Sequence, residues 1–154
     1  MDAQEPTDER LLEAVISEGQ LKRERLRFTG FSFARMPSGQ CRAEVELEWL
    51  EQERVSGRAS GVAGPLGDLR TSADAALRAL EQFSKGALAF ELIGVKIMRA
   101  FDANIVIVSV NVRTGGDGRR LLGCHLADGD PLRGAVLAVL HATNRTLGNF
   151  IATR

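Results

Sequence analysis

Residues 25–35 read RLRFTGFSFAR, and residues 89–99 read AFELIGVKIMR. Laid together, Leu26 falls on Phe90, Phe28 on Leu92, Gly30 on Gly94, Phe31 on Val95, Phe33 on Ile97 and Arg35 on Arg99. The first stretch alternates apolar and polar side chains up to Gly30, where Phe31 breaks the phase. A glycine in mid-strand with a slip of phase after it marks a β-bulge or a sharp bend. A chain that writes the same bent strand twice is constrained to place two copies of one unit.

The residues after each stretch support that reading. MPSGQ at 36–40 is a turn, and CRAEVELEW at 41–49 then alternates cleanly. Cys41, Ala43, Val45, Leu47 and Trp49 share one face of it, and Arg42, Glu44, Glu46 and Glu48 the other. That is an antiparallel strand with one buried and one wet side. LEQER turns the chain into a third strand at 54–61, with small residues at Gly57, Ala59 and Gly61. VAGPLGDLR at 62–70 reads as a loop. A helix is predicted over 71–86, opened by a Thr71–Asp74 capping box and striped by Ala73, Ala76, Leu77, Leu80 and Phe83.

The second stretch repeats the order. FDAN at 101–104 turns, and IVIVSVNV at 105–112 is apolar on both faces, as a covered central strand would be. RTGGDGRR is a hairpin loop, and RLLGCHLA at 120–127 is the third strand. Asp130 is a good N-cap and Pro131 a good first position for a helix over 131–147. Setting Ala73, Ala76, Leu77 and Leu80 against Leu132, Ala135, Val136 and Val139 aligns the two helices. The expected fold is α+β: duplicated βββα units related by a pseudo-two-fold, with antiparallel sheets packed with two helices. One such unit leaves apolar surface bare, and two cover it. The repeats run 25–86 and 87–150 within a single domain over 25–154. Residues 1–24 are expected to be a flexible segment with a short helix, and 8–18 offer Leu11, Leu12, Val15 and Ile16 to a partner protein.

Composition narrows the function classes. The 154 residues are 44% hydrophobic and 26% charged, and 20 Lys and Arg balance 20 Asp and Glu. With no net positive field, neither nucleic acid nor an anionic membrane is an expected partner. No apolar run reaches the roughly 20 residues of a membrane span, and the start lacks a signal peptide's apolar core. Two cysteines, Cys41 and Cys124, allow a single disulfide but form no framework, and they read as small, buried, reduced side chains of a cytoplasmic protein.

No pattern of chemistry rises above its structural explanation. Cys124 and His125 are adjacent, so on a strand they face opposite sides and cannot share one metal ion. His141 reads as a partly buried structural residue. GGDGRR lies between two strands, whereas a phosphate cradle leads into a helix N-terminus. Glu44, Glu46 and Glu48 on one strand face read as a solvated row. Neither a metal nor a cofactor is expected, nor any catalytic residue.

Two segments carry a family resemblance: GRASGVAGP with ADAALRAL after it, and LLGCHLADGDPLRGAVLAVLHATN. Their small-residue strands, glycine-bearing turns and alanine-rich helices resemble the C-terminal regulatory domain of 2-isopropylmalate synthase and citramalate synthase, over roughly residues 25–150. The resemblance implies a βββα duplicate that is non-catalytic, dimerises and binds an end-product amino acid near its two glycine-rich turns. Carried over by position, the ligand-binding residues are Gly61, Gly64 and Pro65 on one turn, and Gly123, His125, Asp128 and Asp130 on the other. Three features depart from the family. The 154 residues contain no counterpart of its catalytic barrel. LGDLRTS is an insertion between Gly-Pro and the helix, and His125 stands where a glycine is expected and crowds the pocket. The expected function is a non-catalytic regulatory or dimerisation module, a homodimer taking an amino-acid-like ligand. The alternatives are a scaffold subunit without ligand, and a small enzyme using carboxylates.

Overall fold

The bent strands form where the glycines place them. In the computed structural model, which describes residues 26–153, the elements run β1 (Arg27–Arg35), β2 (Gln40–Trp49), β3 (Glu53–Val62), α1 (Pro65–Phe83), β4 (Ala89–Ala100), β5 (Ala103–Thr114), β6 (Asp117–Leu126) and α2 (Pro131–Ala152). Two three-stranded antiparallel sheets result, ordered β1-β2-β3 and β4-β5-β6. The register of β1 slips between Phe28 and Gly30, and that of β4 between Leu92 and Gly94. Both halves are therefore βββα units with a bulge at the same place. The segment 1–24, with its expected partner surface at 8–18, lies outside the described residues.

Each sheet buries the face that the alternation nominates. Cys41, Ala43, Val45 and Leu47 are fully buried on β2, as are Val106, Val108 and Val110 on β5. Burying such a valine or leucine contributes roughly 1.5–3 kcal/mol. α1 packs on β2 and β3 and also touches β4 and α2, while α2 packs on β5 and β6. α1 is consequently buried over most of its girth; beyond its first turn, Arg70, Asp74, Arg78, Glu81 and Gln82 reach the surface. At the C-terminal ends of the helices, Trp49, Phe83 and Phe150 meet edge to face, with ring centroids 5.9 and 6.2 Å apart.

α1 begins at Pro65, six residues before the expected start at Thr71. Gly64 is the N-cap at φ 153°, a backbone that favours glycine, and Pro65 takes the first helical position. The residues read as an inserted loop are the first turns of the helix. Thr71 is inside it, with its hydroxyl 3.3 Å from the Cys41 sulfur. No side chain caps Gly64, but Asp68 accepts a 3.1 Å hydrogen bond from the Gly64 N–H.

The helix register also differs from the sequence alignment. A Cβ at Gly57 would stand 2.1 Å from Ala79 N and 2.2 Å from Ala75 O. A Cβ at Gly123 would stand 2.2 Å from Ala138 O and 2.5 Å from Ala142 N. Gly57 and Gly123 are thus the same position, where strand and helix backbones nearly touch. Ala75 and Ala79 correspond to Ala138 and Ala142, one turn away from the pairing that the apolar stripes suggest. A stripe repeats almost every turn, so it cannot fix register, whereas a backbone approach can.

Candidate functional site

The residues expected around a ligand fall into two groups, one at each strand–helix junction. Gly61, Gly64 and Pro65 sit where β3 passes into α1. A Cβ on Gly61 would meet the Thr71 hydroxyl oxygen at 2.5 Å, so this glycine lets helix and strand close together. Gly123, His125, Asp128 and Asp130 sit where β6 passes into α2. Gly123 serves the close approach to Ala138 and Ala142. His125 is exposed, with Nδ1 2.9 Å from the Leu126 carbonyl, and Asp128 is exposed. Asp130 caps α2, its carboxylate accepting from the Arg133 N–H at 3.1 Å. The first junction lies beside Arg35 and Cys41, and the second beside Phe28, whose ring carries the Arg133 guanidinium at 4.6 Å. Arg35 and Phe28 are at opposite ends of β1, so the length of that strand separates the two groups.

The first junction has a polar anchor that the sequence did not announce. Arg35 Nε donates to Asp68 Oδ2 at 3.0 Å, and its Nη2 donates to the same oxygen. Burial pushes the Asp68 carboxyl up, but hydrogen bonds from Arg35 and from the Gly64 amide, with the Arg35 charge, outweigh it and hold the group below its ordinary value. This pair ties the end of β1 to the first turns of α1. Arg99, the repeat of Arg35, makes no ion pair among the described residues, because no acid stands in the first turn of α2.

Other candidates resolve into edge and surface contacts. Phe90 on the edge strand β4 donates its N–H to Glu81 Oε2 at 2.8 Å and accepts from Arg78 at 2.9 Å, so α1 covers that edge at Phe90. His141 is exposed, not half-buried as expected, and its Nδ1 accepts from the Cys124 N–H at 3.1 Å. The glutamate row is engaged across strands: Glu44 with Arg58 at 3.0 Å, Glu48 with Arg54 at 3.9 Å, and Glu46 accepting from the Thr29 hydroxyl at 3.0 Å. Cys41 is buried and Cys124 is exposed, and both are free thiols. The expectation that both are buried fails at Cys124, because Gly123 turns toward α2 and its neighbour must turn outward.

Two features distinguish the second half. One is a cleft of about 500 Å³ between the end of α2 and the β5–β6 hairpin. Leu88, Val112, Thr146 and Phe150 line its floor, and Arg119 and Asn149 stand at its mouth. Arg119 Nη2 donates to the Thr146 hydroxyl at 3.2 Å. The bulge register makes Val112 the counterpart of Trp49, and the helix register makes Thr146 the counterpart of Phe83. In the first half those two aromatic rings fill the space; in the second, two small side chains leave it open.

The other feature is the outer face of the second sheet. The pairing sets Met98, Ile105 and Leu126 in one row, Lys96, Ile107 and Cys124 in the next, and Gly94, Ser109 and Leu122 in a third. Met98 is 41% exposed, Leu126 53% and Leu122 68%. The matching face of the first sheet is the row of glutamates and arginines. Among the described residues no group of acidic, histidine or cysteine side chains could hold a metal ion, and no helix is long and apolar enough to cross a membrane. Neither the protein-family models nor the curated proteins contain a match to this chain.

Proposed function

We propose that the protein is a non-catalytic regulatory or dimerisation module that works in the cytoplasm as a homodimer. The single observation that carries this reading is the apolar outer face of the second sheet. Two halves built to one plan differ there: one face is charged, the other offers Met98, Ile105, Ile107, Leu122 and Leu126. The patch exposes on the order of 400 Å² of apolar surface, the size of the largest and often functional patch on a small protein. Across these three rows Lys96 is the one charge, and the next row of the same face is polar, with Glu91, Asn111 and Arg120. An apolar partner suits the three rows, and a second copy supplies one. Sheets stacked face to face about 10 Å apart interdigitate side chains of this kind.

The resemblance to the regulatory domain of 2-isopropylmalate synthase adds an amino-acid-like ligand to this reading. A ligand-free scaffold would use the same face and leave the cleft idle. A carboxylate-using enzyme has less support, since Glu44, Glu46 and Glu48 are each held by a cross-strand partner. Sedimentation velocity tests the assembly: the wild-type chain is expected to run as a dimer, and Leu122→Glu with Leu126→Glu as a folded monomer. A wild-type chain that stays monomeric at 100 times the dissociation constant of ordinary micromolar dimers, about 0.1 mM or more, overturns it.

A further inference from the structure

We infer that the cleft beside the end of α2 is a binding site for a small carboxylic acid with a short apolar body. The inference deepens the proposed regulatory role, resting on it for a non-catalytic purpose, and it places the ligand away from both glycine-bearing junctions. Three observations carry it. First, the cleft is a departure from the repeat: Val112 and Thr146 stand where Trp49 and Phe83 close the first half. Second, its volume of about 500 Å³ lies within the range of small-molecule sites, and its floor of Leu88, Val112 and Phe150 is apolar. Third, Arg119 stands at the mouth, held by the Thr146 hydroxyl at 3.2 Å, and no carboxylate among the described residues pairs with it. A guanidinium that spends one donor on Thr146 and keeps the rest of its fork suits a carboxylate in two-point geometry, and an anchored one loses less freedom on binding.

Asp117 lines the same mouth and is the group that an α-ammonium would meet. Plain acids and amino acids therefore share the carboxylate chemistry, and the test separates them. The full chain, labelled with ¹⁵N, is titrated with pentanoate, 2-aminopentanoate and pentanamide while amide shifts are monitored. Saturable shifts at Leu88, Val112, Arg119 and Thr146 are expected from at least one acid, with the amide at least tenfold weaker. Tighter binding of 2-aminopentanoate than of pentanoate assigns the ammonium to Asp117, and the reverse assigns a plain acid. Arg119→Gln is expected to weaken the acid at least tenfold. Thr146→Phe, which restores the ring of the first half, is expected to abolish binding while Trp49 emission and circular dichroism remain those of the folded chain. The inference is overturned if neither acid gives saturable shifts, if the shifts map to the Gly61–Pro65 or Gly123–Asp130 junctions, or if Arg119→Gln binds within twofold of wild type. Sedimentation of the same samples keeps the two readings apart: a monomer that binds supports the site and sinks the dimer, and a dimer that binds nothing does the converse.

Discussion

Replacing Gly57 with alanine should be among the most damaging single-methyl changes this chain can suffer. The added Cβ would lie 2.1 Å from one α1 backbone atom and 2.2 Å from another. A carbon needs about 3.5 Å from such atoms, so helix and strand must part by about 1 Å. A gap of that size forfeits a quarter to a half of the dispersion energy along the α1–β3 seam. Overpacking commonly costs about 1–3 kcal/mol, and here the clash is with backbone that no rotamer can relieve, so about 3 kcal/mol or more is expected. For a chain of this length that lowers Tm by about 6–12 °C. Gly123→Ala should behave alike, with Ala138 and Ala142 at 2.2 and 2.5 Å. Gly94→Ala is the control, since no atom lies within 4 Å of its Cβ and its φ is not positive. Urea unfolding monitored by emission of the single tryptophan, Trp49, gives the three values. If Gly57→Ala or Gly123→Ala stays within about 1 kcal/mol of wild type, or Gly94→Ala falls with them, the strand–helix approach has been misjudged.

Asp68→Asn should cost about 1 kcal/mol at neutral pH, the scale of one charge-assisted hydrogen bond to a partly exposed partner. Because folding lowers the Asp68 pKa, its contribution is present above the unfolded value and is lost as pH falls through the folded one. The variant and wild type should thus converge in Tm well below about pH 4. Asp74 has the opposite sign. Burial pushes its carboxyl up, with Arg78 and Arg70 pulling back in part and Glu81 adding to the rise. Charged Asp74 therefore weighs against the fold above its raised pKa, and that cost is relieved as pH falls. Asp74→Asn should raise Tm at about pH 7, with the advantage gone below about pH 4; a loss of Tm at neutral pH would count against it. Leu50 and Glu51, the first two of the three residues between β2 and β3, take φ of 54° and 57°, where the two-residue β5–β6 turn has Gly115 and Gly116. Leu50→Asn with Glu51→Gly should stabilise by about 1 kcal/mol in urea unfolding, since that pair suits such a turn.

Much of the fold was legible because strands announce their faces. Cys41, Ala43, Val45, Leu47 and Trp49 alternate against charges, and the slips of phase at Gly30 and Gly94 fall on the observed bulges. Less legible was where glycine is needed. The sequence repeats Gly30 at Gly94, yet nothing crowds Gly94, while Gly57 and Gly123 bear the close contact. Local sequence shows a bulge but not a helix crossing above it. The start of α1 was hidden by LGDLRTS, whose glycine, aspartate and threonine resemble loop residues and whose helical state depends on packing against β3. The cleft was hidden by the helix register. With the helices one turn out of step, Thr146 has no reason to be compared with Phe83, and Arg119 is one arginine among many.

The duplication is tested most directly by nuclear Overhauser contacts at the two glycines. If both halves share one arrangement, Gly57 Hα protons give strong cross-peaks to the Ala79 amide, and Gly123 Hα protons give equally strong ones to the Ala142 amide. Strong cross-peaks in one half and none in the other would show that the two units are built differently.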